Sequence, residues 1–255
     1  MTAATEKRKL PLNTWLRMYL RLFAVQGSWN YEILIGNGIA FCMEPALRLL
    51  PGGRGGTAYT EALSRHARYF NAHPYFAGVA VGSLARAELD GVQPALIDRF
   101  RTALAGPLGS VGDRLVWASW LPLCSLVALG AFGLNAGPFS VVAIFLVLYN
   151  IGHLSLRAWG LRVGFDKGLR VADSLGHPLL RRGPQYVGAV AALLAGISVP
   201  LTARRLIADG RALAITVTII AIVGGALLAR YGERAEGWKL ALAIHALFVL
   251  YSVLA

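Results

Sequence analysis

From Leu115 to Leu156 the chain runs for 42 residues without an Asp, Glu, Lys or Arg. A helix needs about 20 apolar residues to cross a bilayer, so this run holds two spans. Turn-forming residues at L-N-A-G-P (134–138) separate them. The turn carries no positive charge, whereas 157–184 carries six: Arg157, Arg162, Lys167, Arg170, Arg181 and Arg182. The positive-inside bias therefore places the turn outside and both ends of the hairpin in the cytoplasm. Three more apolar segments follow, near 185–203, 212–229 and 240–255. The loop 204–211 should be external by alternation, yet it holds Arg204, Arg205 and Arg211. Either the charge rule is overridden there, or the segment 185–203 does not fully cross.

Composition agrees with a multi-span membrane protein. Hydrophobic residues make up 56% and charged residues 15%, with a mean hydropathy of +0.56; soluble domains are about 25% charged. The net charge of +12 lies between apolar segments, which fits anionic headgroups rather than nucleic acid. Cys42 and Cys124 sit in apolar stretches without CxxC or metal-ligand spacing, so they read as small buried residues and no metal is expected. The start, M-T-A-A-T-E-K-R-K-L-P-L, has no apolar core and no cleavage site, and should remain cytoplasmic.

The first hundred residues differ. Residues 11–26 place Leu12, Trp15, Leu16, Tyr19, Leu22 and Phe23 at helical spacing opposite Arg17 and Arg21. That pattern suits a helix lying in the membrane interface, with a helix seated on a protein partner as the rival. An apolar stretch at 33–50 is interrupted by Glu44-Pro45, a loop P-G-G-R-G-G follows at 51–56, and a polar helix at 57–70. The apolar run Pro74–Leu84, too short to span, comes next, then a polar helix around 93–105. Half-length apolar segments belong where they are buried in protein or line a wet cavity. The expected fold is an all-α integral membrane bundle with re-entrant half-helices, about 4–5 spans and an N-terminal amphipathic helix. Residues 1–26 form the interfacial segment and 27–255 a single membrane domain.

Polar residues at the mouths of these short segments are the candidate site. In F-N-A-H-P-Y-F-A-G (70–78), Pro74 suits a first helical turn, with Asn71 or His73 as its cap, and Gly78 reads with it as a structural turn residue. The N–H groups of such a half-helix would face a polar ligand. In G-P-L-G-S-V-G-D-R-L (106–115), Gly106, Pro107, Gly109 and Gly112 read as a tight turn. Asp113 then either caps the next helix or contacts ligand. In Q-G-S-W-N-Y-E (26–32), Trp29 and Tyr31 read as interfacial anchors. Alternatively Trp29 is an apolar platform for a sugar, with Gln26, Asn30 and Glu32 as hydrogen-bonding groups. No Walker loop, Ser-His-Asp order or dinucleotide fingerprint occurs, so neither a self-sufficient catalytic set nor a cofactor is expected.

These blocks, in this order and followed by Y-N-I-G-H-L-S-L-R-A-W-G-L-R-V-G-F (149–165), resemble the IID membrane subunit of mannose/fructose/sorbose-type phosphotransferase systems. The resemblance implies group translocation: a IID subunit pairs with IIC to form the membrane path for a hexose, and the pairs assemble as trimers. The phosphoryl group would pass from phosphoenolpyruvate through carrier proteins and IIA to a histidine on IIB. The chain itself would carry no phosphohistidine. Gln26, Asn30, Glu32, Asn71, His73 and Asp113 would then contact sugar. The expected location is a bacterial inner membrane with the N-terminus in the cytoplasm. The chain departs from the family at Ala72, at Gly109-Ser110 and at Arg114, which could pair with Asp113. Those departures motivate a rival reading, a regulatory or scaffold subunit that no longer moves sugar.

Overall fold

The computed structural model describes residues 9–207 together with 215, 219 and 223. Apart from those three positions, the segments expected at 212–229 and 240–255 lie outside the described residues. Nine α-helices are described: α1 (Leu12–Arg21), α2 (Gly36–Leu47), α3 (Thr57–Ala67), α4 (Ala77–Leu89), α5 (Pro94–Gly112), α6 (Leu121–Gly133), α7 (Pro138–Lys167), α8 (Ala172–Leu175) and α9 (Pro178–Ile207). Among the described residues there is no strand, only isolated bridges joining Asn30 to Leu34 and Leu34 to Phe70. Three stretches are long and apolar enough to cross a membrane: Pro94–Gly133, Pro138–Arg170 and Ala172–Leu206. The chain is an all-α membrane protein.

The short helix α4 is the centre of the molecule. Every residue from Ala77 to Leu89 is buried, and its 13 residues extend only about 20 Å at 1.5 Å each. It packs most extensively on α7, and glycine sets the separation. In G-V-A-V-G (78–82) and G-L-R-V-G (160–164), small residues recur four apart on each helix. A Cβ on Gly82 would lie 2.4 Å from the Leu161 carbonyl oxygen, and one on Gly164 would lie 2.4 Å from that of Val79. The two backbones touch, as small-residue pairs allow in membranes. Gly78 is therefore not a turn residue: it lies within α4, where a Cβ would meet the Arg157 carbonyl oxygen at 2.8 Å.

The expected break at Glu44-Pro45 is absent, for a local reason. Pro45 lies inside α2 and cannot donate to the Phe41 carbonyl. Arg21 supplies the missing donor: one guanidinium nitrogen lies 2.8 Å from the Phe41 oxygen and 2.8 Å from Glu44 Oε2. The polar face expected of α1 is thus half internal. Met18 and Leu22 are fully buried and Arg21 turns toward Glu44, whereas Leu12, Leu16 and Phe23 are exposed.

The turn expected at 106–113 is also absent. Gly106, Pro107, Gly109 and Gly112 all lie within α5, which continues through a π-helix (Asp113–Trp120) into α6. Asp113 therefore caps nothing. In lipid an open turn would strand backbone polar groups, so the chain stays helical through Gly and Pro. The wider π-segment lies between Pro107 and Pro122, neither of which can donate to an α-helical ladder. The Ser119 hydroxyl donates back to the Arg114 carbonyl (2.8 Å) and across to that of Pro184 (3.1 Å).

Candidate functional site

Arg101 of α5 fixes the segment that leads into α4. Its guanidinium donates to the carbonyls of His66, Arg68 and Tyr69, sealing the end of α3, and lies over the Phe70 ring at 5.0 Å. Gly36 admits this segment: a Cβ there would sit 2.1 Å from the Arg68 oxygen. Phe70 then pairs through its backbone with the 26–35 loop, donating to Ile33 (3.2 Å) and accepting from Ile35 (3.2 Å). Within that loop Asn30 Oδ1 accepts the N–H groups of Glu32 (2.9 Å) and Ile33 (3.0 Å). Asn30 thus folds its own loop, and only its amide NH2 remains for a ligand. Gln26, Glu32 and Asn71 are solvent-exposed.

His73 lies inward of Asn71, almost fully buried. No side chain caps α4, but His73 Nδ1 accepts the Tyr75 N–H at 3.2 Å in the turn (Pro74–Phe76) just before it. With Nδ1 accepting, the ring proton sits on Nε2, which is buried and has no partner among the described residues. Burial first, and the Arg157 charge second, lower the His73 pKa to about 4, so the ring is neutral near pH 7. Gly112 reaches this same ring: a Cβ there would lie 2.2 Å from His73 Cβ. The blocks 70–78 and 106–113 therefore meet at His73, while the loop that follows 26–32 joins the first of them three residues earlier, at Phe70. Asp113, next in the chain, is exposed, and Arg114 donates to the Ser110 carbonyl (3.2 Å) along its own helix.

An aromatic cluster closes the inner side, contributed by residues to which sequence reasoning gave no site role. The Tyr75 hydroxyl is 2.8 Å from that of Tyr149, its ring stacks on His153 at 4.9 Å, and Trp117 lies 4.9 Å from His73. Arg157 sits between the rings of Tyr75 (4.8 Å) and Phe23 (5.5 Å) and donates to the Leu22 carbonyl. The signal for Tyr149, His153 and Arg157 was their shared block, 149–157, at helical spacing on α7. Replacing Tyr75 by Phe should cost about 1 kcal/mol, the usual worth of one such hydrogen bond. Tyr149→Phe should cost the same, and the double variant little more than either, as read by thermal unfolding in detergent.

The arrangement suits a neutral, hydroxyl-rich guest: one unengaged imidazole donor, exposed amides and carboxylates, aromatic faces and no metal-binding cluster among the described residues. Comparison with known proteins gives a consistent picture. A family model for the IID component of mannose/fructose/sorbose-family phosphotransferase systems matches residues 9–202. The mannose-specific EIID component of Escherichia coli K12 is 30% identical over 219 residues, covering 80% of this chain and 76% of the relative. The sorbose-specific EIID component of Klebsiella pneumoniae is 30% identical over 227 residues, covering 83% and 81%. The cryo-EM structure of the mannose transporter ManYZ in complex with microcin E492 is similar in fold, with a TM-score of 0.59 and 26% identity. That match covers 74% of this chain and 70% of the other.

Proposed function

The chain belongs to the IID components of mannose/fructose/sorbose-family phosphotransferase systems, and from that premise we propose how this permease subunit handles sugar. With a IIC partner it forms the membrane path of a hexose that is phosphorylated through IIB and IIA. It works in a bacterial inner membrane with its N-terminus in the cytoplasm. The sugar passes the mouth of α4, where Asn71 and Asp113 contact hydroxyls from the exposed side and His73 Nε2 donates from the buried side. Gln26, Asn30 and Glu32 line the approach.

One observation carries this reading: a buried, uncharged imidazole with an unengaged N–H, held where the blocks 70–78 and 106–113 meet. An unsatisfied buried donor costs about 1–3 kcal/mol, and a passing hydroxyl would relieve that cost in the loaded state. The regulatory alternative is not favoured. Its motive was the set of departures around 109–114, and of these Arg114 bonds to the Ser110 carbonyl on its own helix.

The test is uptake of radiolabelled hexose by a reconstituted IIC–IID complex. Asn71→Ala and Asp113→Ala should each lower uptake at least about tenfold, equivalent to about 1.4 kcal/mol, while the complex still assembles. Unchanged uptake would remove both residues from the path.

A further inference from the structure

A polar cavity of about 450 Å³ lies among α1, α2, α3 and the Gly-rich loop, with no lining residue shared with the His73 site. Its titratable lining consists of Arg21, Arg48, Arg54, Glu44 and Tyr59. Arg21 contacts Glu44 Oε2 at 2.8 Å, Arg48 reaches Oε1 at 2.6 Å through Nε, and Arg54 stands 4.0 Å away. The Tyr59 hydroxyl donates to the same Oε1 at 3.1 Å. The carboxylate, 11% exposed, is therefore already saturated on one oxygen while three guanidiniums face it.

What remains is an excess of donors and of charge. Both terminal nitrogens of Arg48 lack a hydrogen-bond partner among the described residues, and Arg54 makes no hydrogen bond there. The loop delivers Arg54 by a backbone only glycine adopts freely: Gly52 and Gly53 have φ of 81° and 58°. Arg21 and Arg48 are held in place by Glu44, so their forks are ordered before any ligand arrives. Three cations against one anion leave a surplus of two positive charges, which a phosphate monoester, close to a dianion at neutral pH, would balance and a monocarboxylate would not. Guanidinium forks also match phosphate oxygens in pairs.

We infer that the Arg21–Arg48–Arg54 cavity binds a phosphate group, either free phosphate or the phosphate of a phosphorylated hexose. Only the second source rests on the permease reading above; phosphate binding itself does not. The test uses the full IIC–IID complex in lipid nanodiscs, titrated calorimetrically with inorganic phosphate, with hexose 6-phosphate and with the free hexose. Saturable binding of a phosphate is expected, weakened about tenfold or more by Arg54→Gln and by Arg48→Gln, with binding of the free hexose unchanged. Arg54 is 75% exposed, so its replacement leaves the fold intact. Tighter binding of hexose 6-phosphate than of inorganic phosphate assigns the cavity to the product, and equal or weaker binding assigns it to free phosphate. No saturation by either ligand up to about 10 mM, or affinities indifferent to both arginine substitutions, overturns the inference. Loss of free-hexose binding on Asn71→Ala would concern the other site alone.

Discussion

Alanine at Gly82 is expected to destabilise the protein by about 3 kcal/mol, the upper range for forcing one methyl into a packed interior, whereas alanine at Gly106 should stabilise it slightly. The contrast comes from what each new methyl would meet. At Gly82 it would lie 2.4 Å from the Leu161 oxygen, 2.7 Å from the Phe165 nitrogen and 3.1 Å from the Gly164 carbonyl carbon. All three are backbone atoms of α7, so no rotamer change can make room, and the helices must separate. Separation would also loosen Gly78 against Arg157, because both contacts lie on the same two faces. At Gly106 nothing lies within 4 Å, and exchanging a helical Gly for Ala gains about 0.5–1 kcal/mol. Thermal unfolding of the purified complex in detergent reads both. Equal shifts for the two variants would mean that α4 and α7 do not touch as described.

How much of this was readable depended on the range of the interaction. The hairpin at 134–138 was legible because a missing charge needs no partner to interpret, and α6 and α7 meet there, with Asn135 at a φ of 68°. The half-length helix was legible as a short apolar run, although it spans Ala77–Leu89 rather than 74–84, so Pro74 precedes the helix instead of opening its first turn. The run 106–113 was misread because Gly and Pro punctuate chains in water but are tolerated in lipid-facing helices, where the backbone has no other donor or acceptor. The facing pairs Gly78/Gly82 and Gly160/Gly164 were written in the sequence as two small-residue repeats, but their meaning appears only when the helices are set side by side.

The arginines were the least legible. Arg157 was counted toward the positive-inside bias, Arg205 stood against it and Arg21 was placed on a polar helix face, yet these three and Arg101 act within the protein in one way. Arg21 donates to the Phe41 carbonyl, Arg101 to those of His66, Arg68 and Tyr69, Arg157 to that of Leu22, and Arg205 to those of Phe132 and Ala136. Each also lies over an aromatic ring: Phe41 at 4.5 Å, Phe70 at 5.0 Å, Phe23 at 5.5 Å and Phe132 at 4.1 Å respectively. Irregular backbone at low dielectric leaves carbonyls without donors. A guanidinium satisfies several at once, while the ring face partly replaces its lost hydration. Arg205 closes the end of α6, so one charge of the anomalous segment after 203 has an internal role.

The buried pair around Glu88 should be the most sensitive charged position in the molecule. Glu88, on the fully buried α4, accepts from His66 Nε2 at 2.7 Å and from Arg65 at 3.1 Å through the same oxygen. The three side chains are 8%, 0% and 10% exposed. Glu88→Ala strands a cation and an imidazole together, and removal of one partner from a buried pair costs about 3–5 kcal/mol. Glu88→Gln keeps an acceptor but loses the charge, and should fall between that variant and wild type. The pH dependence follows from His66, whose pKa lies below its ordinary 6.5 because burial outweighs the bond to Glu88. The unfolded chain then binds the proton more readily than the folded one. Stability is complete above the unfolded value of about 6.5 and declines as pH falls below it. Without Glu88 the carboxylate no longer favours the protonated ring, so the decline should continue to lower pH. Unfolding of wild type, Glu88→Gln and Glu88→Ala, measured between about pH 5 and 8, checks all of this. An alanine variant as stable as wild type, with the same acid profile, would place His66 and Arg65 in contact with water rather than in the core.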